Sequence, residues 1–432
     1  MTGRGAAHTL EGMIWLRRAA GVSVLALTGC RAIFGMLDPT TSSGPVDAAD
    51  DAHALDAPAL DAPAICTTWH PRHFDACAIP APPGPLSLDP THSPYVLNTT
   101  TGTLSDMSGT AIPVTTMNLL QAGGVAVRLV SVSSLEIQSG AQLDTIGDRP
   151  LLIASWSTIS IDGGLDAGSH RGGRIGPGAD QSCGALAGGA GMDGLVTGGS
   201  GGGAGGSHRG MGSAGGIADA PQNVSGGVPL APIATPTTIR AGCNGGNGGK
   251  AGPATGLLPP ATSTTFTGGG HGGGAIELAA LTSIAVNGTV IAGGGGGDGS
   301  IFGAACGGGG GGSGGYIGLD APQVTIGGSA SVAANGGSGA GGAPFAQAGN
   351  PGSDATPSLV GAPGGAVAPG GCGPAGGSGG AIGNLNGGPV GTPPDVCSSG
   401  GGGGGVGFLL IWSPAATVNS VNVSPMFQIN PT

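Results

Sequence analysis

The chain of 432 residues is short of charge, of aromatic rings and of long apolar runs. Charged residues make up 8% and aromatic residues 3%, well below globular usage. Its only lysine is Lys250 and its arginines are scattered. Phosphate contacts need clustered cations, so no nucleic acid partner is expected. Net charge is −11 at pH 7, and removal of Arg4, Glu11, Arg17 and Arg18 with a signal segment would make the balance more acidic still. The apolar run Ala19–Leu27 is too short to span a bilayer. The remaining apolar residues suffice for a core only if they are concentrated in a few blocks.

They are so concentrated, between runs of the 99 glycines. In AIELAALTSIAVNGTVIA, residues 275–292, the pairs Ile276/Leu278, Ile284/Val286 and Val290/Ala292 alternate with period two, and Gly288 marks a turn. This is the pattern of three short strands. Val127/Leu129 with Leu135/Ile137 open one copy, and Leu151/Ile153 with Ile159/Ile161 open the next, 24 positions on. Ile317/Leu319 with Val324/Ile326 form a further copy, and Leu409/Ile411 with Val418 a looser one. Self-similarity at this period predicts a repeat architecture. Three strands per repeat predict an all-β, parallel β-helix-like solenoid of short strands over residues 121–432. Its inward set is Leu135, Ile137, Ile159, Ile161, Ile284, Val286, Val324 and Ile326, each stacked on its counterpart.

The chain leaves this pattern at about residues 169–274, 293–314 and 337–405, each time after a third strand. All three Gly-rich insertions should therefore leave from one edge. Glycine loses the most freedom on ordering, so these segments are either mobile or locked by backbone hydrogen bonds. Their spacing lacks the strict period of three that collagen demands.

Before the repeats, Arg17–Arg18, the run Ala19–Leu27 and Leu27-Thr28-Gly29-Cys30 read as a secretory signal over 1–29, with Met13 as an alternative start. Leu-Thr-Gly-Cys resembles the lipobox of bacterial lipoproteins. That resemblance implies a lipid on Cys30, a membrane as partner through this N-terminal lipid and, with Arg31 following, an outer-membrane or cell-surface location. The alternative is an ordinary cleaved signal with an incidental cysteine. Residues 30–64 form a disordered Asp/Ala/Pro tether that includes the direct repeat LDAPALDAPA. Residues 65–120 hold a Cys-loop and a segment expected to cap the first repeat, because an open end needs cover.

The spacing Cys66-x3-His70-x2-His73-x3-Cys77 admits a disulfide between Cys66 and Cys77 or a zinc site of all four residues. Export to an oxidising compartment favours the disulfide. Among the later cysteines, Cys183–Cys243 and Cys372–Cys397 are the most local pairings, which leaves Cys306 over. The lipobox, the tether, Cys-x-x-Trp with Phe-Asp-Ala-Cys, RPLLIASWSTISIDGGLDA (149–167) and GFLLIWSP (407–414) together resemble the uncharacterised glycine-rich predicted lipoproteins of myxobacteria, nearly end to end. The resemblance implies location and architecture, and no activity.

Candidate chemistry is sparse. Residues 188–196 fit the calcium nonapeptide with Asp193 as carboxylate, but the neighbouring repeat that would complete the site has no Asp. Around Lys250, Asn244 and Ala251 break the phosphate-loop pattern. Asp144 and Asp166 each follow a leucine in the third strand of consecutive repeats, so they could stand one strand spacing apart, about 4.8 Å. Such a pair could divide acid and base roles in sugar cleavage. Alternatively both are outward, solvated residues, with Arg128 and Arg149 the nearest cations and no His or Tyr placed to help. Trp156 and Trp412 read as hydrophobic covers rather than a sugar-stacking ladder. The expectation is a non-catalytic, lipid-anchored cell-surface protein without a cofactor, in adhesion or envelope structure, contacting surface polysaccharide or another cell. The alternative is a polysaccharide-active β-helix enzyme.

Overall fold

Period-two apolar segments pair as strands here because each is only two to six residues long and flanked by turn residues. A computed structural model describes residues 64–181, 183–194, 199–218, 223–251, 267–300, 306–343, 347–368, 373–391 and 398–431. The signal, most of the tether, Cys30, Cys372 and Cys397 lie outside these residues. The strands are β1 (Leu86–Leu88), β2 (Tyr95–Asn98), β3 (Thr103–Ser105), β4 (Ala111–Ile112), β5 (Thr115–Leu119), β6 (Val127–Val132) and β7 (Leu135–Ile137). They continue with β8 (Gln142–Ile146), β9 (Leu151–Ser155), β10 (Thr158–Ile161), β11 (Gly164–Asp166), β12 (Ala275–Ala280), β13 (Ser283–Val286) and β14 (Thr289–Ile291). The last are β15 (Tyr316–Asp320), β16 (Gln323–Ile326), β17 (Ser331–Ala333), β18 (Phe408–Trp412), β19 (Ala415–Val418), β20 (Asn422–Ser424) and β21 (Gln428–Ile429).

The described chain is nearly all β, in three sheets. Sheet I has the order β1-β7-β10-β13-β16-β19, sheet II β20-β17-β14-β11-β8-β2-β3-β4, and sheet III β21-β18-β15-β12-β9-β6-β5. Pairing is parallel except for β2-β3, β3-β4 and β5-β6, which add antiparallel strands at the N-terminal end. From β6 on, the chain visits sheets III, I and II in turn. In sheet I, Leu135 pairs with Ile159, Ile159 with Ile284 and Ile284 with Val324. Ile137, Ile161, Val286 and Ile326 form the neighbouring row. All eight are buried in one apolar cluster, which side chains from sheets II and III complete.

Sheet III corrects the sequence reading of its first repeat. Arg128, not Val127, pairs with Leu151, and Val130 pairs with Ile153. A one-residue change of register exchanges the two faces of a strand. Val130 and Val132 therefore join the inner cluster, while Val127 and Leu129 join a second cluster on the outer face. That outer cluster explains why β6 is buried along its whole length. Trp69, Phe74 and Ile79 of the Cys-loop, with Ile239 and Ala241 of the first insertion, cover this side of sheet III.

Each insertion leaves a strand of sheet II (β11, β14 or β17) and returns to one of sheet III (β12, β15 or β18). The described parts of the inserted segments bond to one another through their backbones, and these bonds recur at every third residue. Gly242 and Gly245 donate to Gly273 and Gly270. Gly203 and Gly206 donate to Gly308 and Gly311, and Gly377 and Gly380 to Gly401 and Gly404. A repeat of three with no internal hydrogen bond is that of polyproline II. Each turn then offers three N–H and three C=O groups outward, enough to bond six neighbours.

Four segments, 200–207, 306–315, 334–343 and 398–407, are surrounded in this way and buried throughout. Segment 306–315, for example, bonds 242–250, 200–207, 398–407, 334–343, 293–300 and 267–274. With neighbours on every side there is little room for side chains, so these segments are mostly glycine, broken chiefly by small residues such as Ala204, Ser313, Ser338 and Ala340. Rim segments show a period of three. Met211, Ala214 and Ile217 are exposed three residues apart, as are the more shielded Asn244, Asn247 and Lys250. Cys183–Cys243 joins the start of the first insertion to one of these rim segments.

Candidate functional site

Asp144 of β8 and Asp166 of β11 are direct partners in sheet II. The chain then leaves the sheet and turns back, with the His170 N–H on the Arg174 carbonyl at 2.8 Å. This brings the Arg174 guanidinium between the two carboxylates. It pairs with Asp144 and stands 2.8 Å from Asp166. The Gly168 N–H donates to Asp166 at 2.7 Å, and His170 Nε2 lies 3.0 Å from it. Asp354 of the third insertion accepts the N–H groups of Arg171 and Gly296, both at 2.8 Å, and faces His170 Nδ1 at 3.7 Å.

The sequence reading is corrected on three points. Asp166 is buried rather than solvated, the central cation is Arg174, and a histidine is present. Arg128 instead donates to the carbonyls of Thr99 and Thr100, and Arg149 to Thr100 and Asn118. Neither Arg174 nor His170 could be placed from the sequence, because an eight-residue fold-back carries them in.

Burial pushes the Asp166 carboxyl up, but hydrogen bonds from His170 and Gly168 and the adjacent cations outweigh it and hold it below its ordinary value. The hydrogen bonds to Asp166 and then Asp354 raise His170 to about 9. A raised His stabilises the fold fully below its unfolded value near 6.5, and this contribution is lost as pH rises through about 9. The depressed Asp166 contributes above its unfolded value near 3.9 and loses that contribution as pH falls through its folded value. The melting temperature is therefore expected to fall between about pH 6.5 and 9.5, and His170→Gln should flatten that decline. An unchanged profile in the variant would show that His170 is not the titrating group.

Cys66 and Cys77 are joined as a disulfide, so they are not thiolate ligands to zinc. His73 of the same loop is engaged by Glu277 at 2.8 Å, and His70 is exposed. Asp193 accepts the Lys250 N–H at 2.8 Å. Among the described residues no cluster of three His, Cys, Asp or Glu side chains could hold a metal ion.

The Cys-loop builds a second site, which the sequence did not disclose. Trp69 anchors the loop in the outer cluster, edge-on to Phe74 and Trp156 at 5.3 and 5.5 Å. Trp156 is a cover, as expected, its indole N–H donating to Ser131 at 3.1 Å. Glu277 is fully buried in β12, where it meets His73 and accepts the Tyr316 hydroxyl at 2.8 Å. The Arg72 N–H donates to Asp320 at 2.7 Å, and its guanidinium lies 5.3 Å from the centre of the Trp412 ring.

Beside these contacts opens a cleft of about 350 Å³, lined by Trp69, His70, Asp320, Trp412 and Asn430 among others. Burial, aided by the charge of Glu277, pushes Asp320 up to about 6 against the hydrogen bond from Arg72. The available signal was Glu277 itself, a carboxylate between the inward Ile276 and Leu278 in an otherwise apolar strand. It had to face outward, and burial there required a covering partner.

No family model matches the chain, and no curated protein or solved structure is similar to it.

Proposed function

We propose that this protein is a lipid-anchored, non-catalytic component of the cell surface, with a role in adhesion or envelope structure. In this reading the three sheets are the faces of a β-helix-like solenoid, which carries the Gly-rich bundle as a rigid contact surface. The observation that carries it is the single edge from which all three insertions leave, interlocked by backbone hydrogen bonds. A bundle so ordered can present its rim side chains at fixed spacing. The engagement of Asp144 and Asp166 by Arg174 supports a structural role for that pair over the polysaccharide-cleaving alternative.

Fatty-acid labelling of cells is expected to mark the wild type and not Cys30→Ser. A deletion strain should lose surface attachment or envelope integrity, and regain it with the wild type but not with Cys30→Ser. Equal labelling of both proteins removes the lipid anchor, and normal attachment with an intact envelope in the deletion strain removes the surface role.

A further inference from the structure

The cleft beside the Cys-loop combines features that a covering contact alone does not require. Its lining includes two indoles, Trp69 and Trp412, with polar groups of both hydrogen-bonding senses around them. One oxygen of Asp320 accepts the Arg72 N–H, and the other accepts no hydrogen bond among the described residues. The Trp412 indole N–H is shielded from solvent and has no acceptor there either. His70, at the exposed side, adds an imidazole. An apolar wall with a few convergent polar groups is the general form of a small-molecule site.

We propose that this cleft binds carbohydrate, taking one or two pyranose rings of a neutral or amino-bearing polysaccharide. A pyranose offers an apolar C–H face to an indole and a rim of hydroxyls that both donate and accept. The donors suit the Asp320 carboxylate, and the acceptors suit the exposed imidazole of His70. A phosphorylated ligand finds no cation cluster here, and a uronic acid would oppose Asp320. The volume lies at the lower end of the range for ligand pockets, which fits one or two rings. The proposal rests on the surface reading only for the source of the sugar.

The sequence hid the site because its parts are far apart. Trp69 and His70 come from the Cys-loop, Asp320 from the end of β15 and Trp412 from the end of β18. Strand pairing sets Asp320 beside Trp412, and docking of the loop on the outer face of sheet III, through His73–Glu277 and Arg72–Asp320, adds Trp69 and His70.

The test is titration of the full chain with cellotriose, chitotriose, the glucosamine trimer and trigalacturonate, followed by tryptophan fluorescence and saturation-transfer NMR. A half-open cleft that holds one or two rings predicts a Kd of about 0.1–1 mM for at least one neutral or amino trimer. Trigalacturonate should bind least. Trp412→Phe keeps an aromatic cover but offers the sugar a smaller ring face, and Asp320→Asn is isosteric. Each should retain the melting curve of the wild type and bind about tenfold more weakly. For Asp320→Asn, any preference for the glucosamine trimer should vanish.

No binding of the neutral and amino trimers up to about 10 mM, or equal binding by the wild type and both variants, overturns the proposal. So does binding confined to trigalacturonate or to a Trp-rich control peptide. Binding in solution together with normal attachment of the deletion strain would uphold the site while removing the adhesion role.

Discussion

Gly403→Ala is expected to destabilise the protein by about 3 kcal/mol or more, by overpacking and lost backbone bonds. Gly403 lies in the surrounded segment 398–407, where a Cβ would fall on the carbonyl oxygen of Ser378 and 2.6 Å from its carbon. These are backbone atoms, so no rotamer change can relieve the clash. Moving Ser378 aside would strain the bond that its carbonyl accepts from the Gly388 N–H at 2.7 Å. Gly328 provides the control. It is exposed, has no atom within 4 Å of the Cβ position and has no positive φ. Gly328→Ala should be neutral or stabilise by up to about 1 kcal/mol through the unfolded chain. Denaturant midpoints, with hydrogen exchange across the bundle, read both. If Gly403→Ala keeps the wild-type midpoint and protection, the close packing of segment 398–407 is wrong.

Ile161→Asp should be the most damaging single change in the sheets. Ile161 lies between Ile137 and Val286 in adjoining strands of sheet I and is fully buried. No cation stands near in this all-apolar row, so the carboxylate must be buried unpaired or protonated. Either costs several kcal/mol, a large part of the roughly 5–15 kcal/mol by which a domain is stable. Ile161→Val at the same place should cost only about 1 kcal/mol. Circular dichroism melts of the two variants separate a charge effect from a packing effect. An Asp variant that melts with the wild type would place Ile161 outside the core.

The core rows of sheet I were legible in the sequence because alternation is local. Ile159 and Ile161, or Val324 and Ile326, declare their shared face without reference to any partner. The same holds for the points where the chain leaves the sheets, since apolar alternation stops at Asp166, Ile291 and Ala333 and glycine begins. The disulfides Cys66–Cys77 and Cys183–Cys243 also follow the most local choice.

Register in sheet III was not legible. Turn lengths differ between repeats, so pairs lie 24 residues apart at Leu135–Ile159, 23 at Arg128–Leu151 and 22 at Asp144–Asp166. A period found in one sheet therefore misplaced Val127 and Leu129 in another.

The sequence by itself determined the strand blocks, the inward rows of sheet I and the starting points of the insertions, all of which are written in side chains close together along the chain, and it favoured the two disulfides. Tertiary structure alone decided that the described Gly-rich segments interlock through their backbones, that Arg174 clasps Asp144 and Asp166, and that the Cys-loop docks over Glu277 and Asp320. The reason is physical. A glycine segment carries its bonding capacity in the backbone, which is the same at every position, so its partners are set only by which segments the fold brings alongside. Likewise, the partner of a buried carboxylate is whichever cation or N–H the fold delivers, whether eight residues away, as for Arg174 and Asp166, or some two hundred, as for His73 and Glu277.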